Sequence, residues 1–137
     1  MSNGLLPPGR EYIVDAYGCS ESALRSKATL ERLVGRVLSE IQLRMLGHPV
    51  WHVFPGTGGV TGLVMLAESH LSMHTFPEHR YAAFNLYCCR QTAEWGWEAG
   101  LTELLGAKNV VVRTVVRGGT LSDEAVPAGL AERSGPS

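Results

Sequence analysis

The chain has 137 residues, 45% of them hydrophobic and 18% charged, with a formal net charge of −1. That length fits one domain, and that balance supports a packed core, which excludes a disordered chain. It has no basic excess for nucleic acid, no polybasic run for an anionic membrane surface, and no apolar run longer than Leu63–Ala67 to suggest a span.

Residues 1–9 are rich in Gly and Pro and read as a loose start without the features of a signal peptide, so the expected compartment is the cytoplasm. Glu11–Tyr17 reads as a strand that Gly18 ends. Ser20 or Ser22 then offers a helix cap. Leu30, Leu33, Val34, Val37, Leu38, Ile41 and Met45 recur at helical spacing and predict an amphipathic helix that ends near Gly47. Pro49–Phe54 is a second strand, Pro55–Gly59 a turn-rich loop, and Val60–Ala67 an apolar strand expected at the centre of a sheet. His70–Phe76 and Tyr81–Cys89 are two more strands around the turn Pro77-Glu-His-Arg. Trp97, Leu101, Leu104 and Leu105 give a second helix its buried face, with Gly106 as its stop. Asn109–Val116 is a β-branched strand.

This order predicts one domain over residues 10–118 and a disordered tail over 119–137. The expected fold is α+β, a two-layer α/β sandwich whose antiparallel-rich sheet carries two helices on one face. A domain this small leaves the other sheet face thinly covered, so a partner subunit is expected to bury it. Three cysteines, an odd number, read as reduced thiols rather than a disulfide framework.

The densest chemistry lies in Ala67-Glu-Ser-His-Leu-Ser-Met-His-Thr-Phe-Pro-Glu, followed by Tyr81-Ala-Ala and then Cys89, twenty positions after Ser69. This stretch closely resembles the processing site of the pyruvoyl-dependent S-adenosylmethionine decarboxylases in their short bacterial and archaeal form, and the resemblance runs from about Arg10 to about Gly118. It implies a proenzyme that cuts its own Glu68–Ser69 bond and turns Ser69 into a pyruvoyl cofactor, with no metal. The two products are a 1–68 and a 69–137 chain. The chemistry asks for a hydroxyl one residue downstream of the broken bond, and Ser69 supplies it.

The resemblance assigns His74 to the elimination step of processing and Thr61, where relatives usually carry serine, to assist it. Cys89 aligns with the proton donor to the substrate carbon. Cys88 and Cys19 read as structural. Phe54 matches an aromatic that stacks on adenine, Phe76 stands for a more frequent tryptophan that packs near the same ligand from the other subunit, and Glu78 matches the acid that holds the ribose hydroxyls. Asn85 replaces a common Asp, and His79-Arg80 an aromatic-glycine pair. Ser69 and His74 are five apart, so a regular strand places them on opposite faces, and a bend or bulge at Ser69 is needed.

The implied function is decarboxylation of S-adenosyl-L-methionine through a Schiff base with the pyruvoyl group, supplying an aminopropyl donor for spermidine, in a homodimer whose sites are built from both subunits. Three alternatives stand beside it. The same chemistry could act on arginine or ornithine. His52, His70, His74, His79, Cys88 and Cys89 could hold zinc, although no recognised ligand spacing is present. Or the chain could be an unprocessed binding module.

Overall fold

The structure is a computed structural model, and it describes residues 9–89 and 94–119; the expected loose start, apart from Gly9, and the expected tail, apart from Gly119, lie outside them. Six strands form one sheet: β1 Gly9–Tyr17, β2 Val50–Val53, β3 Val60–Leu66, β4 Ser69–Phe76, β5 Tyr81–Cys88 and β6 Asn109–Arg117. Their order is β2-β3-β4-β5-β1-β6, and every neighbouring pair is antiparallel. The helices are α1 Glu21–Leu24, α2 Lys27–Glu40 and α3 Trp97–Leu105, with a 3-10 turn at Pro77–His79.

Period-two alternation gives the sheet two unlike faces. Val14, Val64, Leu71, Met73, Phe84 and Leu86 point to one side and are buried. Leu30, Leu33, Val34 and Val37 of α2 and Trp97, Leu101 and Leu105 of α3 join them in one cluster. Each such side chain contributes about 1.5–3 kcal/mol of transfer free energy on burial. Among the described residues, no helix covers the other face. It exposes Val50, Leu63, Met65, Val111 and Val115, of which Met65 is 60% accessible.

The α+β sandwich therefore forms as expected, with three differences in detail. The apolar stripe predicts a helix to about Gly47, but α2 ends at Glu40. Gln42 takes a left-handed φ of 59°, and the segment beyond it runs out along the sheet. There Leu46 N–H donates to the Met65 carbonyl (2.9 Å), and Ala67 N–H donates to that of Arg44 (3.0 Å). Ile41, the C-cap of α2, and Leu43 just beyond the turn are both buried. Secondly, Ser20 caps only the short α1, and Ser26 caps α2 by accepting from Thr29 N–H at 3.1 Å. Thirdly, β3 is not central; it lies second from the sheet edge.

Candidate active site

The expected scissile bond lies in the tightest hairpin of the sheet. Leu66 pairs with Ser69, so only Ala67 and Glu68 connect β3 to β4. Two residues can turn an antiparallel pair only with a left-handed conformation among them, and Glu68 takes it, with φ 65°. A residue with a Cβ pays about 1–2 kcal/mol for that conformation, so the residue before the bond is strained. Ser69 Oγ is buried and has no hydrogen-bond partner among the described residues. A hydroxyl in that state is not tied down by a competing acceptor.

Ser69 does not meet His74 within this chain. It pairs in regular register with Leu66 on one side and Cys88 on the other, with no bulge. By strand parity it belongs with Leu71 and Met73 on the core side, whereas His74 projects from the open face. The bend that would bring the two together is absent. Cys89 directly follows the residue paired with Ser69, at the same end of the sheet, and is half-buried. Cys88 is in the core, as is Cys19, whose thiol burial pushes up to about 11.

The remaining residues gather at the other end. Thr61 faces His74 across the β3–β4 ladder, and their Oγ1 and Nδ1 atoms are 3.0 Å apart. They line a cleft of about 280 Å³ together with Phe54, Phe76 and Glu78. A shallower cleft of about 690 Å³ continues from it, sharing Phe76 and Glu78 and adding Tyr17, His79 and Tyr81. The cleft floor is fixed by Thr75, which donates to the Leu24 carbonyl and accepts from Val60 N–H, each at 2.8 Å. Its rim loop is closed by Phe54 N–H on the Gly59 carbonyl (2.8 Å) and held by Arg25 Nε on the Thr57 carbonyl (3.0 Å).

Aromatic rings form a ladder across this end: Phe76 stacks on Tyr81 at 5.6 Å, and Tyr81 on Tyr17 at 5.4 Å. Phe54 meets His52 edge-on at 4.5 Å. Tyr81 donates to Asp15 at 2.5 Å; that bond to a carboxylate, followed by burial, pushes the phenol up to about 12. Asp15 also accepts from Arg113 at 2.9 Å. Asn85 donates to Glu11 at 2.7 Å. In the turn, Arg80 occupies a left-handed conformation, φ 51°, which is the conformation that a glycine there would adopt without strain.

The sequence reading passes over Tyr87. The nearby Cys89 thiol, and after it burial, pushes the phenol upward. Its i, i+2 spacing from Cys89 was the available signal. For the metal alternative, no group of three or more His, Cys, Asp or Glu side chains stands together among the described residues.

The eight sequence-assigned residues thus fall into two sets, Glu68, Ser69 and Cys89 at one end of the sheet and Phe54, Thr61, His74, Phe76 and Glu78 at the other. The family model for S-adenosylmethionine decarboxylase matches residues 10–118. The chain is 35% identical over 114 residues to an S-adenosylmethionine decarboxylase proenzyme of Clostridium tetani, covering 80% of this chain and 86% of the relative. It is 35% identical over 111 residues to the proenzyme of the same description from Prochlorococcus marinus, covering 80% and 86%. The crystal structure of the adenosylmethionine decarboxylase from Aquifex aeolicus superposes with a TM-score of 0.65 at 22% identity, over 90% of this chain and 97% of that one, and so shares the fold. A family-model match over residues 10–118, with relatives 35% identical over 80% of the chain, establishes that this chain belongs to the S-adenosylmethionine decarboxylase family.

Proposed function

We propose that this chain is a self-processing, pyruvoyl-dependent decarboxylase of S-adenosyl-L-methionine that works as a homodimer in the cytoplasm and supplies an aminopropyl donor for polyamine synthesis. The observation that carries the reading is the buried hydroxyl of Ser69, without a partner among the described residues, beside the strained Glu68. In processing, Ser69 Oγ attacks the Glu68 carbonyl carbon. The C–N bond breaks as the C–O bond forms, and the proton passes to the nitrogen. A base then removes the α-proton of residue 69, and the Glu68 carboxylate leaves. Water converts the resulting dehydroalanine to the pyruvoyl group and releases ammonia. Strain at Glu68 weakens the amide relative to the ester.

His74 is the base, with Thr61 holding its Nδ1. Because Ser69 and His74 occupy opposite faces and opposite ends of β4, the base for each Ser69 comes from the partner subunit. The exposed apolar residues on the open face, Leu63, Met65 and Val115 among them, give that partner a surface to bury.

A pyruvoyl group at residue 69 would supply a carbonyl for the substrate amine and an electron sink for decarboxylation. Phe54 and Phe76, both partly exposed on the cleft wall, flank the adenine ring, and Glu78 accepts from the ribose hydroxyls. Cys89 gives its proton to the substrate carbon. Arginine and ornithine are not favoured as substrates: the relatives named above are described by S-adenosylmethionine alone.

Intact mass under denaturing conditions, combined with carbon dioxide release from carboxyl-labelled S-adenosylmethionine, tests this. The expected result is two fragments, 1–68 and a 69–137 piece with a blocked N-terminus, and release of label. A single uncut chain without release, or release from arginine or ornithine alone, overturns the reading.

A further inference from the structure

Proton donation by a thiol leaves negative charge on sulfur, and what faces that sulfur decides how readily the proton goes. Tyr87 projects to the open face two residues before Cys89, and its hydroxyl lies over Gly9, next to Arg10, which pairs with Cys88, so the phenol reaches toward the Cys89 end of the strand. The Tyr87 ring has little freedom. The Arg117 guanidinium of β6 lies over it, 5.2 Å from the centroid. The His70 ring of β4 packs against it at 5.8 Å. Arg117 is itself held by Glu11 of β1 at 3.3 Å, and the other carboxylate oxygen of Glu11 accepts from Asn85.

Behind the hydroxyl lies Gly9. A Cβ at that position would stand 2.9 Å from the Tyr87 oxygen and 3.1 Å from the Cys88 carbonyl oxygen, so only glycine leaves the phenol where it is. The charged and titratable groups that face Tyr87 are therefore Glu11, His70, Cys89 and Arg117.

We propose that Tyr87 is a positioning residue for proton delivery: its hydroxyl donates to the Cys89 sulfur, holds the thiol on the open face and stabilises the charge that develops there as the proton leaves. This rests on the reading of Cys89 as proton donor. A phenol suits the task because its reference pKa of ~10 lies above the ~8.5 of a thiol, so it stays protonated while the sulfur ionises. A fixed donor aimed at developing charge lowers the barrier to the step that makes the charge, more than it tightens substrate binding. Tyr87→Phe removes the hydroxyl and keeps the ring packing against Arg117 and His70.

The test uses the purified full chain and three readouts. Tyr87→Phe should still cleave itself, hold its KM for S-adenosylmethionine and lose roughly fivefold to tenfold in kcat, the scale of one lost hydrogen bond to a charged group. Alkylation of Cys89 by iodoacetamide near pH 8, located by peptide fragmentation, should slow roughly fivefold. In a Cys89→Ala background, Tyr87→Phe should cause no further fall in kcat, because the two residues act through one contact. Gly9→Ala, which keeps the phenol but presses on its hydroxyl, should slow alkylation in the same direction. Unchanged alkylation in both variants, or independent and additive losses in the double variant, overturns the proposal. Wild-type protein that releases no carbon dioxide overturns the decarboxylase reading instead, and the alkylation rates still decide the Tyr87–Cys89 contact.

Discussion

Mixing two inactive chains tests the shared site most directly. Ser69→Ala removes the nucleophile and His74→Ala removes the base, so neither chain alone should cut itself. In one protomer the two positions are five residues apart on a strand in regular register, roughly 16 Å at ~3.3 Å per residue, with side chains on opposite faces. Proton transfer needs heavy atoms about 2.6–3.2 Å apart or one bridging water, so this separation rules out cooperation within a chain. A twofold dimer makes each contact twice. In a mixed dimer the His74→Ala chain keeps Ser69 and meets the intact His74 of its partner, whereas the Ser69→Ala chain has nothing to cut. With equal co-expression and random pairing about half the dimers are mixed, so about half of the His74→Ala chains, or about a quarter of all chains, should be cleaved. Intact mass distinguishes the two chains and their fragments. The reasoning fails if no His74→Ala chain is cut in the mixture, or if Ser69→Ala chains are cut.

Three further outcomes are expected. Thr61→Val removes the hydroxyl on His74 Nδ1 while keeping the β-branched shape, and should slow self-cleavage roughly fivefold in a time course by gel, with Thr61→Ser restoring it. Gly100→Ala puts a Cβ 2.3 Å from the ring of Trp95, which is 4% exposed. Ala is the better helix former by about 1 kcal/mol, yet overpacking at about 1–3 kcal/mol should win and lower Tm in thermal unfolding. Burial lifts the Cys19 thiol from 9.0 to about 11, so between those values the unfolded chain releases a proton that the native chain keeps. The stability that this shift contributes is present below about pH 9 and lost as pH rises to about 11, and Cys19→Ala should flatten that slope in urea titrations.

The sequence is most informative where a pattern has a single physical meaning. Alternation in Ser69–Phe76 and Tyr81–Cys88 fixes which side chains face the core, and Gly106 marks the stop of α3, with φ 68° there. The stretch around Ser69 carries the resemblance to the family, and it is that resemblance, rather than the serine alone, that implies self-cleavage at this bond. The same alternation places His74 opposite Ser69, so the sequence calls for a bend at Ser69; the regular register of β4 shows none. Its limit shows at Ile41–Met45, where a spacing of four fits both a helix and an extended run. Only the hydrogen bonds offered by Met65 and Arg44 decide between them.

Tertiary structure decided what depends on register between distant segments. That Thr61 meets His74, that Cys88 rather than Cys89 sits opposite Ser69, and that Arg117 closes over Tyr87 follow from the pairing of β3, β4, β5, β1 and β6. A one-residue slip in any pair would exchange these partners while leaving every local pattern intact. The sequence by itself determines which groups are present and which face each takes; the sheet decides which of them touch, because contact across strands is set by the register of the whole sheet and not by neighbours along the chain.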